Sequence, residues 1–382
     1  MRIAYCIPSC YNSGGMERVL SLKANYLADK MDYEVFIITT GQKNNQPYYP
    51  LSPKIQLIDL GINYSDIERL PLYKKIHWFF IKRYKHRKLL SRTLYQLKAD
   101  IVISMFTHEL PFLYKIKDGS SKVLEIHFSQ QFRTLHNLYN HANWIVRLLG
   151  CWLNHRDQIS ARKYDRFVVL THEDKATWKN FSNIEVIYNP TTFIPSERAD
   201  YRSKQAIAVG RLCAQKGFDM LINIWNSIDK KSRCGWSLSI YGSGPDNQSL
   251  NQQIKSLGLE TEIKIYPPTG NIAEVYKNSS ILCFTSRYEG FGMVVVEAMS
   301  FGVVSVSFDC PCGPKDIITN GSNGILICSF DQKEFASKLA ELMNNENQRK
   351  QMGENAITSV REKFEINSIM KQWVNLFQNL RK

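Results

Sequence analysis

What this chain lacks narrows its possibilities first. No apolar run reaches the ~18 residues a membrane-crossing helix needs, so no segment is expected to span a bilayer. The opening stretch Met1-Arg-Ile-Ala-Tyr-Cys-Ile-Pro8 is too short in apolar residues for a secretory signal and reads instead as a first strand. Nine cysteines are scattered along the chain without a single Cys-x2-Cys pair, so neither a disulfide framework nor a zinc site is expected, and a reducing cytoplasm is the expected compartment. His136 and His141 lie five apart, wrong for one helix face, and no metal is expected there. No repeat of roughly 20–50 residues suggests a solenoid. Acidic residues are absent from the whole interval between Glu68 and Asp100.

What is present points to two folded units. At 382 residues and 44% apolar content, the chain is long for one core, and two domains of ~150–200 residues are expected. Its net charge of +14 is uneven: residues 1–190 hold 27 of the 49 Lys and Arg but only 16 of the 35 Asp and Glu. Lys74, Lys75, Lys82, Arg83, Lys85, Arg87, Lys88, Arg92 and Lys98 fill the acid-free interval. That half predicts a negatively charged partner. Nucleic acid is not expected, since no recognised binding motif accompanies the charge. Ile76, Phe79, Phe80 and Tyr84 recur at helical spacing among these cations, and Ile145, Leu148, Leu149 and Trp152, beside Trp144, form a second such face. Segments 73–98 and 144–153 thus suit docking on an anionic membrane surface. They suit equally well helices packed on a sheet with solvated outer faces.

Strand and helix signals alternate from the start: a strand at 2–8, a glycine loop, a helix from about 15 to 30, and strands near 34–40, 55–59, 100–104, 122–126 and 166–170. The pattern restarts at 205–209 and continues with strands at 236–241, 262–266, 281–285 and 303–308. Repeated β-α order predicts parallel sheets, and the restart predicts two of them. Asn189 to Arg202, with Pro190 and Pro195, reads as the linker, 331–364 as amphipathic helices, and Ile366 to Leu380 as a last helix.

The segment Ser286-Arg-Tyr-Glu-Gly-Phe-Gly-Met-Val-Val-Val-Glu-Ala-Met299 is the most informative. It places Glu289 at the carboxyl end of the strand 281–285, where open α/β sheets bind ligands. Gly290 and Gly292 make a tight loop, Val294 begins a helix, and Glu297 lies about two turns along. Two carboxylates flanking a helix N-terminus suit a ligand carrying both phosphates and hydroxyls, such as a nucleotide-sugar. With Gly210-Arg211-x4-Lys216-Gly217 upstream and Gly14-Gly15-x-Glu17-Arg18 near the start, this Glu-x7-Glu pattern resembles retaining glycosyltransferases of family 4 over essentially the whole chain.

The resemblance implies a GT-B fold. Two Rossmann-like domains with parallel sheets would face a central cleft: an acceptor-binding domain over 1–190 and a nucleotide-sugar-binding domain over 191–365. A terminal helix, 366–382, would cross back to the first. It implies that Arg211 and Lys216 stabilise the departing diphosphate in place of a metal, a reading the absence of any Asp-x-Asp motif fits. Glu289 would hold donor-sugar hydroxyls, the amides of Phe291, Gly292 and Met293 the phosphate or sugar, and Glu297 the ribose. Gly14 and Gly15 would approach the donor closely, and His127, at a strand end, would lie beside the reacting carbon. Gly242, in Tyr241-Gly-Ser-Gly244, would shape the nucleotide pocket, and Tyr266 would lie where relatives hold the base, although Pro267 replaces a glycine common there. Glu17, Thr171 and Asn189 match positions near the acceptor or cleft. Cys310-Pro-Cys-Gly-Pro-Lys-Asp-Ile-Ile318 is similar to a variant in bacterial members that build surface or lipid-linked glycans from UDP-sugars. The expected activity is therefore retaining, metal-independent and cofactor-free. A hexose or N-acetylhexosamine would move from a nucleotide-sugar, UDP-linked, to a glycan or polyprenyl-linked acceptor on the cytoplasmic face of an inner membrane. A sugar-nucleotide isomerase sharing the fold and a non-catalytic lipid- or glycan-binding scaffold are the alternatives.

Overall fold

Each apolar strand is followed by a crossover that returns the chain to the same edge, so every strand pairs in parallel with its neighbours. The computed structural model describes residues 1–140 and 142–381, leaving His141 and Lys382 outside the described residues. The first sheet contains β1 (Arg2–Ile7), β2 (Glu34–Thr39), β3 (Gln56–Asp59), β4 (Ile101–Ser104), β5 (Ser121–Glu125), β6 (Arg166–Val169) and β7 (Ile184–Val186). The second contains β8 (Gln205–Val209), β9 (Ser237–Tyr241), β10 (Ile263–Tyr266), β11 (Ile281–Phe284), β12 (Val304–Phe308) and β13 (Gly324–Ile327). Their orders are β3-β2-β1-β4-β5-β6-β7 and β10-β9-β8-β11-β12-β13. Each order reverses once, between β1 and β4 and between β8 and β11. At such a switch point the loops leaving the strands splay apart and open a crevice.

Helices cover both sheets. In the first half they are α1 (Gly15–Asp29), α2 (Leu72–Leu97), α3 (Phe132–Tyr139), α4 (Trp144–Ala161) and α5 (His172–Thr177). The second half adds α6 (Phe218–Ser227), α7 (Asn247–Ser256), α8 (Ile272–Lys277), α9 (Met293–Phe301), α10 (Pro314–Ile317), α11 (Gln332–Asn344), α12 (Glu346–Lys363) and α13 (Ile366–Leu380). Because both sheet faces are covered, the central strands are continuous apolar runs: β4, β11 and β12 are buried along their whole length. The last helix leaves the second half. Its Ile369, Met370, Trp373 and Phe377 pack with Ile3, Tyr5, Ile103 and Leu27 of the first.

Candidate functional site

Lys216 ends a short 3-10 turn, Ala214–Lys216, that follows β8. The loop leaving β11 is bonded to that turn at several points. Arg287 donates its backbone N–H to the Gln215 carbonyl at 2.7 Å, and Gln215 Nε2 donates to the Tyr288 carbonyl at 2.9 Å. The Arg287 guanidinium forks onto both Asp219 oxygens at 2.9 and 2.6 Å. Joined in this way, the two loops place Lys216 Nζ 2.5 Å from Glu289 Oε1. Arg211 stands exposed beside them on the wall of the same cavity. Gly242 lets the loop after β9 lie against the β8 loop, since a Cβ there would sit 1.9 Å from the Gly210 carbonyl oxygen.

From Glu289 the chain turns into α9 through Gly292, in the left-handed region at φ 96°, and no side chain caps the first amides. Uncapped first-turn N–H groups bind anions readily. Further along, Glu297 is 5% exposed and already engaged. Arg18 of α1 reaches across from the first sheet to its Oε1 at 2.8 Å, Thr192 donates to the same oxygen at 3.0 Å, and Tyr276 donates to Oε2 at 3.2 Å. Burial raises this carboxyl above the usual range, and Arg18 pulls it back.

The first sheet supplies the opposite wall. Gly14 precedes α1 in extended conformation, again without a side-chain cap. Burial raises the Glu17 carboxyl, with its own backbone amide, Asn12 and His127 acting the other way. His127 follows β5, and its Nε2 lies 3.0 Å from Glu125 Oε1. Both Glu125 oxygens also receive Lys23 Nζ at 2.7 Å. Between the two walls lies a cavity of about 1010 Å³. The walls touch at Gly290, where a Cβ would come within 2.3 Å of the His127 carbonyl oxygen.

The cavity wall brings together Gly14, Gly15, His127, Asn189, Arg211, Lys216, Gly242, Glu289, Phe291, Gly292, Met293 and Glu297. Glu17, Thr171 and Tyr266 do not line it. Thr171 is fully buried, and its hydroxyl caps α5 by accepting the Asp174 N–H at 3.0 Å. Tyr266 stacks on Tyr241 with ring centroids 5.0 Å apart and faces a second cavity of about 340 Å³ along β8–β10. Arg18, quoted in the N-terminal glycine motif but given no role, joins the site, and Lys23, Glu125, Asn12 and Thr107 join the site or its support without having been singled out from sequence. For Lys23 and Glu125 a signal existed, a charge inside an otherwise apolar element. His136 meets Tyr288 across the cleft, Nδ1 to hydroxyl at 3.3 Å, while the neighbouring His141 lies outside the described residues. Among the described residues, no three His, Cys, Asp or Glu side chains are grouped to hold a metal.

Segments 73–98 and 144–153 are the less conventional part of the surface. Tyr73, Phe80 and Tyr84 of α2 are 70%, 62% and 72% exposed, and Trp144, Leu148 and Trp152 of α4 are 70%, 61% and 59% exposed. Phe79, expected on the same face, instead packs half-buried toward Tyr64, centroids 6.0 Å apart.

Comparison with known proteins agrees with this geometry. The model of the family described as "Glycosyl transferases group 1" matches residues 191–359. A protein of Haemophilus influenzae named as a glycosyltransferase is 31% identical over 376 residues, covering 97% of this chain and 98% of its own. The Campylobacter jejuni α-1,4-N-acetyl-D-galactosaminyltransferase, named for an acceptor on PP-undecaprenol, is 26% identical, covering 100% of this chain and 99% of its own. Among solved structures, S. aureus TarM in complex with UDP superposes with a TM-score of 0.76 at 17% identity, over 98% of this chain and 99% of that one. The architecture they share is the GT-B fold, two parallel-sheet α/β units and a helical C-terminus.

Proposed function

The chain belongs to the group 1 glycosyl transferases, and we propose that it moves a hexose or N-acetylhexosamine from a UDP-sugar to a lipid-linked glycan during assembly of a bacterial surface polysaccharide. The observation that carries this reading is the convergence of Lys216, Arg211 and the uncapped start of α9 at one switch point, beside Glu289. A departing nucleoside diphosphate gathers negative charge, and fixed cations plus helix amides aimed at it stabilise the transition state without a metal. Glu289 orients Lys216 and is free to accept from sugar hydroxyls through its remaining lone pairs. The names of two relatives support the substrates: TarM was captured with UDP, and the C. jejuni enzyme takes a glycan on a polyprenyl diphosphate.

We take the transfer to be retaining, as the resemblance implies, and the way the carboxylates are already used bears on its route. A double displacement needs a free carboxylate nucleophile close to the sugar, yet Glu289 is paired with Lys216 and Glu297 with Arg18, Thr192 and Tyr276. In our reading the acceptor hydroxyl therefore attacks the anomeric carbon from the face the diphosphate leaves. The leaving phosphate oxygen takes up its proton. The test is a panel of UDP-, GDP- and ADP-sugars incubated with the full chain and chelator. Slow release of UDP from one sugar, unaffected by chelator and giving retained product stereochemistry, is expected. An inverted product, or turnover abolished by chelator, overturns the mechanism.

The acceptor side extends the reading to the membrane. No helix among the described residues is long and apolar enough to cross one. Even so, α2 and α4 present aromatic and aliphatic side chains to solvent, with Lys74, Lys85, Arg87, Lys88 and Arg147 exposed among them. We read this as a face that rests on anionic lipid, where each cation contributes ~1 kcal/mol and the apolar groups enter the headgroup layer. Flotation with vesicles containing an anionic lipid at low salt should carry the protein upward, and Trp144→Glu with Leu148→Glu should abolish it. Failure of the unaltered chain to float sinks this part of the reading.

A further inference from the structure

The segment 310–318, which follows β12, does not line the large cavity, yet it is bonded to both sides of the cleft. On the donor side, the Pro311 carbonyl accepts the Glu289 N–H at 3.0 Å. Gly313 lies so close to Phe291 that a Cβ on it would sit 2.1 Å from the Phe291 carbonyl oxygen. On the other side the segment meets α5 of the first unit, and the bonds run both ways. The His172 N–H donates to Asp316 Oδ1 at 2.8 Å, the Tyr188 hydroxyl reaches the same oxygen at 3.2 Å, and the Glu173 N–H makes a longer contact of 3.5 Å with Oδ2. In return, the Cys312 N–H donates to Glu173 Oε2 at 2.9 Å. Asp174, 2% exposed, joins two loops on one oxygen. Its Oδ1 takes the Gln130 N–H at 2.8 Å, from the loop after β5, and the Cys312 thiol at 3.7 Å.

Two kinds of contact hold the units together here, and they constrain differently. Leu170 and Tyr188 pack among Phe291, Val295 and Phe364. Apolar burial has no preferred direction, so such a surface can slide. Hydrogen bonds weaken steeply off axis, so several of them converging from two backbones fix a register. The loop after β12 also does not keep its shape unaided. Cys312 sits at φ 63°, in the left-handed region that a side chain disfavours. The bond from its N–H to Glu173 and the Gly313 backbone against Phe291 hold it there. Through Gln130, α5 therefore grips the loop carrying His127; through Cys312 and Pro311 it grips the loop carrying Glu289.

We propose that Glu173, Asp174 and Asp316 are positioning residues, which make α5 a gauge fixing the gap between the Glu289 loop and the His127 loop. That this gap admits the reacting sugar rests on the glycosyltransferase reading above; the bracing of the two loops does not.

Two measurements on the full chain test this, using Asp316→Ala and Asp316→Asn. Alanine removes the acceptors, whereas asparagine keeps a carbonyl oxygen for His172 and Tyr188 to share. Hydrogen exchange read on peptides should show the Glu289 and Cys312 amides opening faster in Asp316→Ala, with β11 and β12 unchanged. The asparagine variant should exchange like the unaltered chain. Sugar transfer at saturating donor should fall by roughly 10- to 100-fold in Asp316→Ala, the scale of a displacement of about 1 Å at reacting groups. Asparagine should restore most of that rate. UDP affinity, which in our reading Lys216 and Arg211 set from the β8 loop, should hardly change in either variant. Faster exchange with an unchanged rate makes the contact structural only and refutes positioning. So does a rate loss matched by an equal loss of UDP affinity, or exchange left unchanged at both amides. If the unaltered chain turns over no nucleotide-sugar, the reaction assignment fails, and exchange still decides whether α5 braces the two loops.

Discussion

Lys216 is aimed by its neighbours rather than by its own backbone. Glu289 Oε1 holds its ammonium at 2.5 Å, and the Thr285 hydroxyl donates to its carbonyl at 3.1 Å. Lys216→Ala should therefore cut transfer by roughly 100- to 1000-fold, the usual loss when one stabilising donor for a developing anion is removed. Stranding the Glu289 carboxylate should cost about 1–3 kcal/mol of stability. Single-turnover assays beside thermal melts separate the two effects, and a melt that collapses with little loss of rate per folded molecule would falsify the assignment. Both residues were legible in the sequence because each lies just past a strand within a recognisable motif, but their contact with each other was not. Arg18 and Glu297, 279 positions apart, were not a legible pair, because their meeting depends on how two separate sheets face one another. Thr171 shows the opposite difficulty. A hydroxyl after a strand fits a cleft or a helix cap equally, and the acids Glu173 and Asp174 in the next turn were the signal for the cap.

The elements themselves were mostly readable, since a buried parallel strand is a short apolar block and an amphipathic helix repeats every three to four residues. Two strands escaped: β7, Ile184–Val186, and β13, Gly324–Ile327, both at sheet edges and only 3 and 4 residues long. Segments so short carry too little periodicity to stand out from a loop. For α2 and α4 the pattern of apolar residues was visible, but whether a sheet covered them was not. That depends on tertiary contact: the structure packs the end of α2 on the sheet through Leu90 and Leu94 and the end of α4 through Ala161, and leaves the aromatic residues of their first turns exposed. Contact also governs the loop between β11 and α9. Gly290 sits where that loop meets the His127 carbonyl, and a Cβ would be 2.3 Å from the oxygen and 2.7 Å from Phe128 Cα. Both obstacles are backbone, so neither can swing aside. Gly290→Ala should push the cleft walls apart by about 1 Å, a displacement that can cost on the order of 100-fold in rate. UDP binding to the second domain alone should survive, as should the melting temperature, because both cores remain intact. Isothermal titration with UDP beside a transfer assay checks this, and equal loss of both would mean that the loop itself has been deformed.

At the scale of the whole molecule, chain order and packing disagree in one place. Residues 205–363 build the second unit, yet α13 returns to the first, with Ile369, Met370 and Phe377 fully buried and Trp373 1% exposed among first-sheet side chains. The two units also meet directly: Leu170 and Tyr188 of the first pack among Phe291, Val295 and Phe364 of the second, Tyr139 stacks on Tyr288, and polar contacts join Arg18 with Glu297 at 2.8 Å, Cys312 N–H with Glu173 at 2.9 Å and His172 N–H with Asp316 at 2.8 Å. The crossing helix adds a covalently connected tie to these contacts. Emptying the Trp373 site should weaken the first unit alone. Trp373→Ala should cost about 3–5 kcal/mol, which in a unit of this size lowers its melting temperature by roughly 6–20 °C. Calorimetry should then show two transitions, the earlier one shifted down by the substitution and the later one raised by UDP, since bound ligand stabilises only the unit that holds it. Should a single transition move as a whole and UDP raise all of it, the two units unfold together. The crossing helix would then couple them as one cooperative body, and substitutions at Trp373 would be felt equally by donor and acceptor sites.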